Sequence, residues 1–373
     1  MLNCKKIFLL FFIALFFFLA FSASALDKNY DNDEIFKAQV TQILGQNNKT
    51  ATDGLNFIQQ KLKLNGLEGR WMNREIIFDG TQYQVISSPK YNVGDKVLVN
   101  ASPKEDGQYN FYVIGFVRQT PLYWLAAIFA LVVIMVGRLK GLRALIVLLL
   151  SFVIILKFIV PKILAGSNPL WISILGSLFI LILAIYITEG LKRNSTIAIF
   201  SIFISLVITG VLSVWAVTIT KLTGYAGEES MFLNGLAGGH INLKGLLLAG
   251  IIIGALGILD DVVISQVALI QELKSSNPQL PKKQIYAQGM KVGISHLSSM
   301  VNTLFLAYAG VALPLLILFS IKQAPFLTFN QIINNEIIAT EIVRTLSGSI
   351  GLVLAVPIAN LLATYFVKIK KTS

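Results

Sequence analysis

From residue 122 onward, long apolar runs alternate with short polar connectors. Seven runs fall in the range of roughly 17–25 residues that a helix needs to cross a bilayer: 122–138, 142–161, 170–189, 196–219, 245–269, 298–320 and 346–367. All seven are expected to be helices, because lipid offers the backbone no other hydrogen-bond partners. Residues 327–345 are expected to form a separate amphipathic helix on the outer surface. The first 25 residues have a different pattern. Lys5 and Lys6 precede an unbroken apolar run over 7–21, followed by Ser22-Ala-Ser-Ala25. A basic start, an apolar core and small residues at the cut site make a signal peptide. The alternative is an uncleaved first span.

Between these regions, residues 26–120 have ordinary soluble composition and strand-like patterning. Glu34 to Leu44 is β-rich with partial alternation, Tyr91 to Asn100 places a Gly-Asp turn before a strand, and Tyr109 to Val117 is rich in aromatic and β-branched residues. Several short strands in so short a stretch predict a small all-β sandwich or barrel. The expected organisation is a signal peptide at 1–25, an extracytoplasmic β domain at 26–120 and an α-helical polytopic bundle at 121–373.

Composition sharpens this picture. Hydrophobic residues make up 55% of the chain and charged residues 13%, about half the charged share of a soluble domain. The net charge is +12, yet 26–120 is neutral, with eleven acids and eleven bases. With the β domain outside, twelve cations flank the inner ends of the spans: Arg138, Lys140, Arg143, Lys192, Arg193, Lys274, Lys282, Lys283, Lys291, Lys368, Lys370 and Lys371. The outer ends carry five: Arg118, Lys162, Lys221, Lys244 and Lys322. This asymmetry orients the chain with its C-terminus in the cytoplasm. It makes the basic excess an orientation signal, so no nucleic-acid partner is expected. The single cysteine, Cys4, lies in the leader, so a mature chain would hold no thiol. His240 and His296 have no helical His-pair spacing. No metal or other cofactor is expected.

Charged groups inside a span are costly and mark functional sites. Beyond residue 120 the only aspartates are Asp260 and Asp261, past the midpoint of the fifth run. Gly250, Gly254 and Gly257 form a small-residue face that Asp261 and Ser265 continue, so Asp261 is the better candidate for the packed side. Glu341 and Arg344 are i, i+3 partners at the start of the last run, followed by Gly348 and Gly351 as packing positions. Pro357 is expected to kink or break that span. Asn302 adds a polar group in the sixth. Glu189, at the end of the third, reads as a solvated helix end. Asp260 or Asp261 could meet Arg344 only through a re-entrant segment, since they lie toward opposite ends of their spans.

Three stretches in order, Gly254-Ala-Leu-Gly-Ile-Leu-Asp-Asp-Val262 through Glu272-Leu273, Met300-Val-Asn-Thr-Leu-Phe-Leu-Ala-Tyr-Ala-Gly-Val-Ala-Leu-Pro314 and Glu341-Ile-Val-Arg-Thr-Leu-Ser-Gly-Ser-Ile-Gly351 onward to Pro357, resemble the YibE/F-like family of bacterial multi-pass membrane proteins. A signal followed by an outer domain is similar to the larger, YibE-like members. The resemblance implies a permease-like membrane protein, and a related second membrane chain as partner in a hetero-oligomer; a homo-oligomer is the other option. One difference is the aspartate doublet, where the family pattern needs a single acid.

Two functional readings follow. In the first, the chain is a transporter whose pathway is lined by Asp260, Asp261, Asn302, Glu341 and Arg344. In the second it is a non-catalytic accessory protein whose outer β domain docks a partner. An enzyme is not expected. Adjacent aspartates on one helix diverge, and the other spans supply no second Asp for a carboxylate dyad.

Overall fold

A computed structural model describes residues 34–50, 56–82, 89–104, 107–236, 240–322 and 327–367. The leader, Cys4 and the tail cations Lys368, Lys370 and Lys371 lie outside the described residues. The chain divides between Val136 and Gly137 into two compact units.

The first unit holds a five-stranded antiparallel sheet in the order β3-β2-β1-β4-β5. Its strands are β1 (Glu34–Thr50), β2 (Asn56–Gly66), β3 (Glu75–Asp79), β4 (Lys96–Pro103) and β5 (Tyr109–Phe116). It is a half-barrel, and one face of every strand supplies its core. Phe36, Ala38 and Val40 alternate inward from β1, Leu62 and Leu64 from β2, and Val97, Val99 and Ala101 from β4. Two bulges, between Val40 and Gln42 and between Ile43 and Gly45, bend β1. Trp71 plugs the core. It stacks on Phe36 at 5.5 Å and meets Phe111 edge-on at 5.0 Å, while its indole N–H donates to Glu34 Oε2 at 3.0 Å. The turn expected before β4 is present, and Gly94 adopts the left-handed φ of 97° that it requires.

The helical region consists of α1 (Gln119–Ile154), α2 (Val160–Leu164), α3 (Pro169–Thr188), α4 (Arg193–Ile219), α5 (Glu228–Leu236), α6 (Leu243–Ser276), α7 (Lys282–Val311), α8 (Leu313–Ser320), α9 (Phe329–Asn334) and α10 (Glu336–Phe366). A π-helical turn, Ile155–Ile159, joins α1 to α2. Among the described residues, five helices are long and apolar enough to cross a membrane, or six if the bent pair α7 and α8 is one span, where the apolar pattern gave seven. The difference lies in the first two runs. They form one continuous stretch, Gln119–Leu164, interrupted at Arg138, whose φ of 50° and ψ of −129° are not helical. The sixth run is also not one straight helix. Pro314 sits in the first turn of α8, and the chain bends there by 68°. The expected separate helix over 327–345 is instead the short α9, after which α10 starts at Glu336. Asn335 breaks the two apart, and its side chain accepts from the Ile337 N–H at 3.0 Å to cap α10. α10 runs through Pro357 without interruption.

The bundle closes where small residues let helices approach. Along α4, Ser201, Ser205, Thr209 and Ser213 recur every four residues and are fully buried. Each hydroxyl donates to the carbonyl four residues back, at 2.7–2.8 Å, so no polar group is stranded. This stripe packs against α10, where Gly351 lies over Thr209 so closely that an added Cβ would overlap its hydroxyl. α6 sits centrally and packs against α3, α4, α7 and α10. One end of the bundle gathers the close of α6 and α10 and the start of α7. There Lys274 of α6 donates to three carbonyls near the end of α10, and Lys282 Nζ lies 4.7 Å from the Tyr365 ring.

Candidate functional site

α6 begins at a side-chain cap, the Asn242 Oδ1 accepting from the Gly245 N–H at 2.9 Å, and continues for 34 residues. Its buried face is aliphatic: Leu248, Ile252, Ala255, Leu259, Val263 and Ile270. Those side chains win the contact with α4 and α10 because they remove the most apolar area from water or lipid on packing. The 100° step per residue then fixes where the polar residues point. Gly250, Gly254, Gly257, Asp261 and Ser265 all fall on an exposed stripe. The expected assignment of Asp261 to the packed side is thereby reversed, and a Cβ added at Gly250 or Gly257 would meet nothing within 4 Å.

Asp260 points the other way. It is half-buried, and its Oδ1 is fully enclosed with no hydrogen-bond partner. It shares its side of α6 with Ile264, one turn on, which lines a crevice against the end of α3. Glu189 stands at that helix end as the residue after Thr188, because Gly190 turns the chain with a φ of 86°. Lys140 reaches Glu189 at 3.6 Å. Asp261 and Glu189 are the two carboxylates whose charge acts on Asp260.

The second polar group lies at the other end of the bundle. Arg344 Nη1 pairs with Glu341 Oε1 at 2.8 Å, each side chain one-third exposed. The Nε of Arg344 and the hydroxyl of Thr340 are enclosed without a partner. Tyr308 of α7 is near enough to feel both charges. Arg344 is engaged by Glu341, and the structure does not bring it to Asp260. Asn302 is exposed on α7, on a side that also shows Ser295, Ser298 and Ser299. Gly348 and Gly351 are both buried, though only Gly351 is in tight contact.

Several polar residues outside the candidate pathway set hold the bundle together. Gln266 of α6 donates to the Gly289 carbonyl of α7 at 2.9 Å, and Asn360 of α10 donates to the Tyr286 carbonyl at 2.8 Å. Gly289 and Gly293 permit this, since a Cβ on either would collide with Asn360 or Gln266. Lys274, counted among the orienting cations, is only 8% exposed and caps α10. The four-residue spacing of Ser201, Ser205, Thr209 and Ser213 was the available signal for the α4 stripe.

The helical fold, with its long apolar helices and polar groups set among them, is consistent with a membrane protein. A family profile described as YibE/F-like protein matches residues 125–369, and the chain belongs to that family. Comparison with curated proteins and with solved structures gives no match.

Proposed function

We propose that the chain is a transporter of an ion or small solute, with Asp260 as the acid on its pathway. One observation carries the reading. In a helix whose other buried polar side chains, Gln266 and Lys274, are both hydrogen-bonded, Asp260 holds a fully enclosed carboxylate oxygen with no partner. An unpaired acid in such a place costs free energy that packing alone does not repay, which is the signature of a group kept for function. Glu341 and Arg344 belong to the other end of the pathway, where they offer a compensated ion pair and one unused Arg N–H. The bundle end that carries Lys274 and Lys282 faces the cytoplasm in this reading, and the β domain lies outside. The cation asymmetry supports that orientation.

The test is proton and metal-ion flux in proteoliposomes, comparing wild type with Asp260→Asn, Asp261→Asn and the double variant. Flux lost with Asp260→Asn and retained with Asp261→Asn is the expected result. Unchanged flux in the double variant would refute the proposal.

A second reading, an accessory protein that docks a partner through its β domain, has its own support. Ile35, Met72, Ile77, Val93 and Ile114 are large apolar side chains left 56–62% exposed in that domain. Recovery of a protein partner by the full chain, lost when Ile35 and Ile77 are changed to Ser, is its expected result.

A further inference from the structure

The end of α3, the start of α4 and the later part of α6 enclose a crevice of about 70 Å³. Glu189, Asn194 and Gln271 give it a polar rim, with Ile185, Ile264 and Ala268 behind them. Asn194 and Gln271 hydrogen-bond to each other across it and so tie α4 to α6. The volume is several times the roughly 10–15 Å³ that a single water needs, and the rim offers the polar partners a water requires. Asp260 lies one helical turn from Ile264 on the same side of α6. The charged groups that act on it are Asp261 on its own helix and Glu189 from α3; Lys192 lines the crevice, and Lys140 pairs with Glu189.

We propose that this crevice is the water-filled route by which a proton reaches Asp260, with Glu189 as the relay carboxylate at its mouth. The inference rests on Asp260 being the acid of the transporter proposed above. A proton from bulk water binds the Glu189 carboxylate, crosses the crevice through water and is taken up by the half-buried Asp260 carboxylate, and Glu189 returns to the carboxylate. The choice of a proton follows from the donor set. An oxygen-ligated metal ion needs about six donors, and among the described residues no three His, Cys, Asp or Glu side chains are grouped to hold one. A proton needs one lone pair, and the enclosed Oδ1 has it free. Lys140 holds Glu189 at the mouth without burying it, since the carboxylate side chain stays 35% exposed.

The experiment combines two carbodiimides with flux, all on the full chain in liposomes. If the crevice is the route, a water-soluble carbodiimide reaches Asp260 through it, whereas a hydrophobic one arrives through lipid. Modification of Asp260 is counted by peptide mass spectrometry in wild type, Glu189→Gln and Ala268→Trp, the last filling the crevice. The expected result is that Ala268→Trp loses most of the water-soluble labelling and keeps the lipid-borne labelling, which also shows that it is folded. Glu189→Gln is expected to keep both labels while proton flux falls about tenfold or more. Equal water-soluble labelling in wild type and Ala268→Trp overturns the route. Wild-type flux in Glu189→Gln, when Asp260→Asn has none, overturns the relay. If wild type carries no flux at all, the transporter reading and the relay fall together, and the labelling pattern alone decides whether the route stands.

Discussion

Replacing Lys274 by Met separates two roles that one lysine could have. Its ammonium donates to the carbonyls of Thr364 at 2.7 Å, Val367 at 2.8 Å and Ala363 at 3.3 Å. Thr364 lies in the last turn of α10, where helix carbonyls have no partner within the helix, Val367 is the residue that ends it, and the Ala363 carbonyl also accepts the Val367 N–H. Methionine keeps much of the apolar stem and removes the ammonium. Two short charge-assisted bonds at about 1.5–3 kcal/mol each, plus about 0.3–1 kcal/mol for a cation at a helix C-terminus, give a gross gain of roughly 3–7 kcal/mol. The cost of taking an ammonium out of water reduces this by a few kcal/mol, leaving a net loss of about 3 kcal/mol on substitution. For a unit of this size that lowers the melting temperature by roughly 6–12 °C. The assay is thermal unfolding of the detergent-solubilised full chain, followed by size-exclusion chromatography of the surviving fraction. Lys283→Met is the control, because it removes an equally basic but exposed residue from the same end of the bundle. If the two variants melt together, Lys274 is only one of the orienting cations, and the capping argument is wrong.

The two glycines at the start of the last span should respond differently. Gly351→Val drives side-chain atoms into Thr209 and is expected to cost about 1–3 kcal/mol, whereas Gly348→Ala meets nothing within 4 Å and should be nearly neutral in the same thermal assay. In the β domain, the Thr81 hydroxyl at 2.5 Å, with Lys61 at 3.0 Å, holds the Asp79 carboxyl below the usual carboxylate range. A folded value below the unfolded one stabilises above the ordinary carboxylate range of about 4, and that contribution disappears as pH falls through the folded value. Hydrogen exchange of β2 and β3 peptides, corrected for intrinsic rates, should therefore lose protection on acidification, and Asp79→Asn should remove part of that pH dependence.

Much of the architecture was legible because it depends on local pattern. The strands beginning at Glu34, Lys96 and Tyr109, the turn at Gly94 and the sequence of apolar helices each follow from side-chain periodicity and turn chemistry within a few residues. The number of helices was less secure. Whether Arg138 and Pro314 end one helix or bend it depends on the backbone at a single residue, and an apolar run reads the same in either case. The candidate site was legible only as a set of residues. Asp260, Asp261, Glu341 and Arg344 stand out by charge in an apolar background, but their surroundings do not.

The sequence by itself determined a strand-rich domain ahead of a helical region fit for a membrane, and the family to which the chain belongs. Hydrophobic period and length are properties of the chain alone. Only the tertiary structure decided that one carboxylate oxygen of Asp260 is enclosed while Asp261 is exposed, that the Gly250, Gly254 and Gly257 stripe is open, and that Lys274 caps α10. Each of these depends on how α6 is rotated against its neighbours. That rotation is set by the aliphatic face spread from Leu248 to Ile270, which outweighs the small residues in buried contact area. Glu189 acquires its neighbourhood in the same way, because α3 ends beside a helix that lies some seventy residues further along the chain.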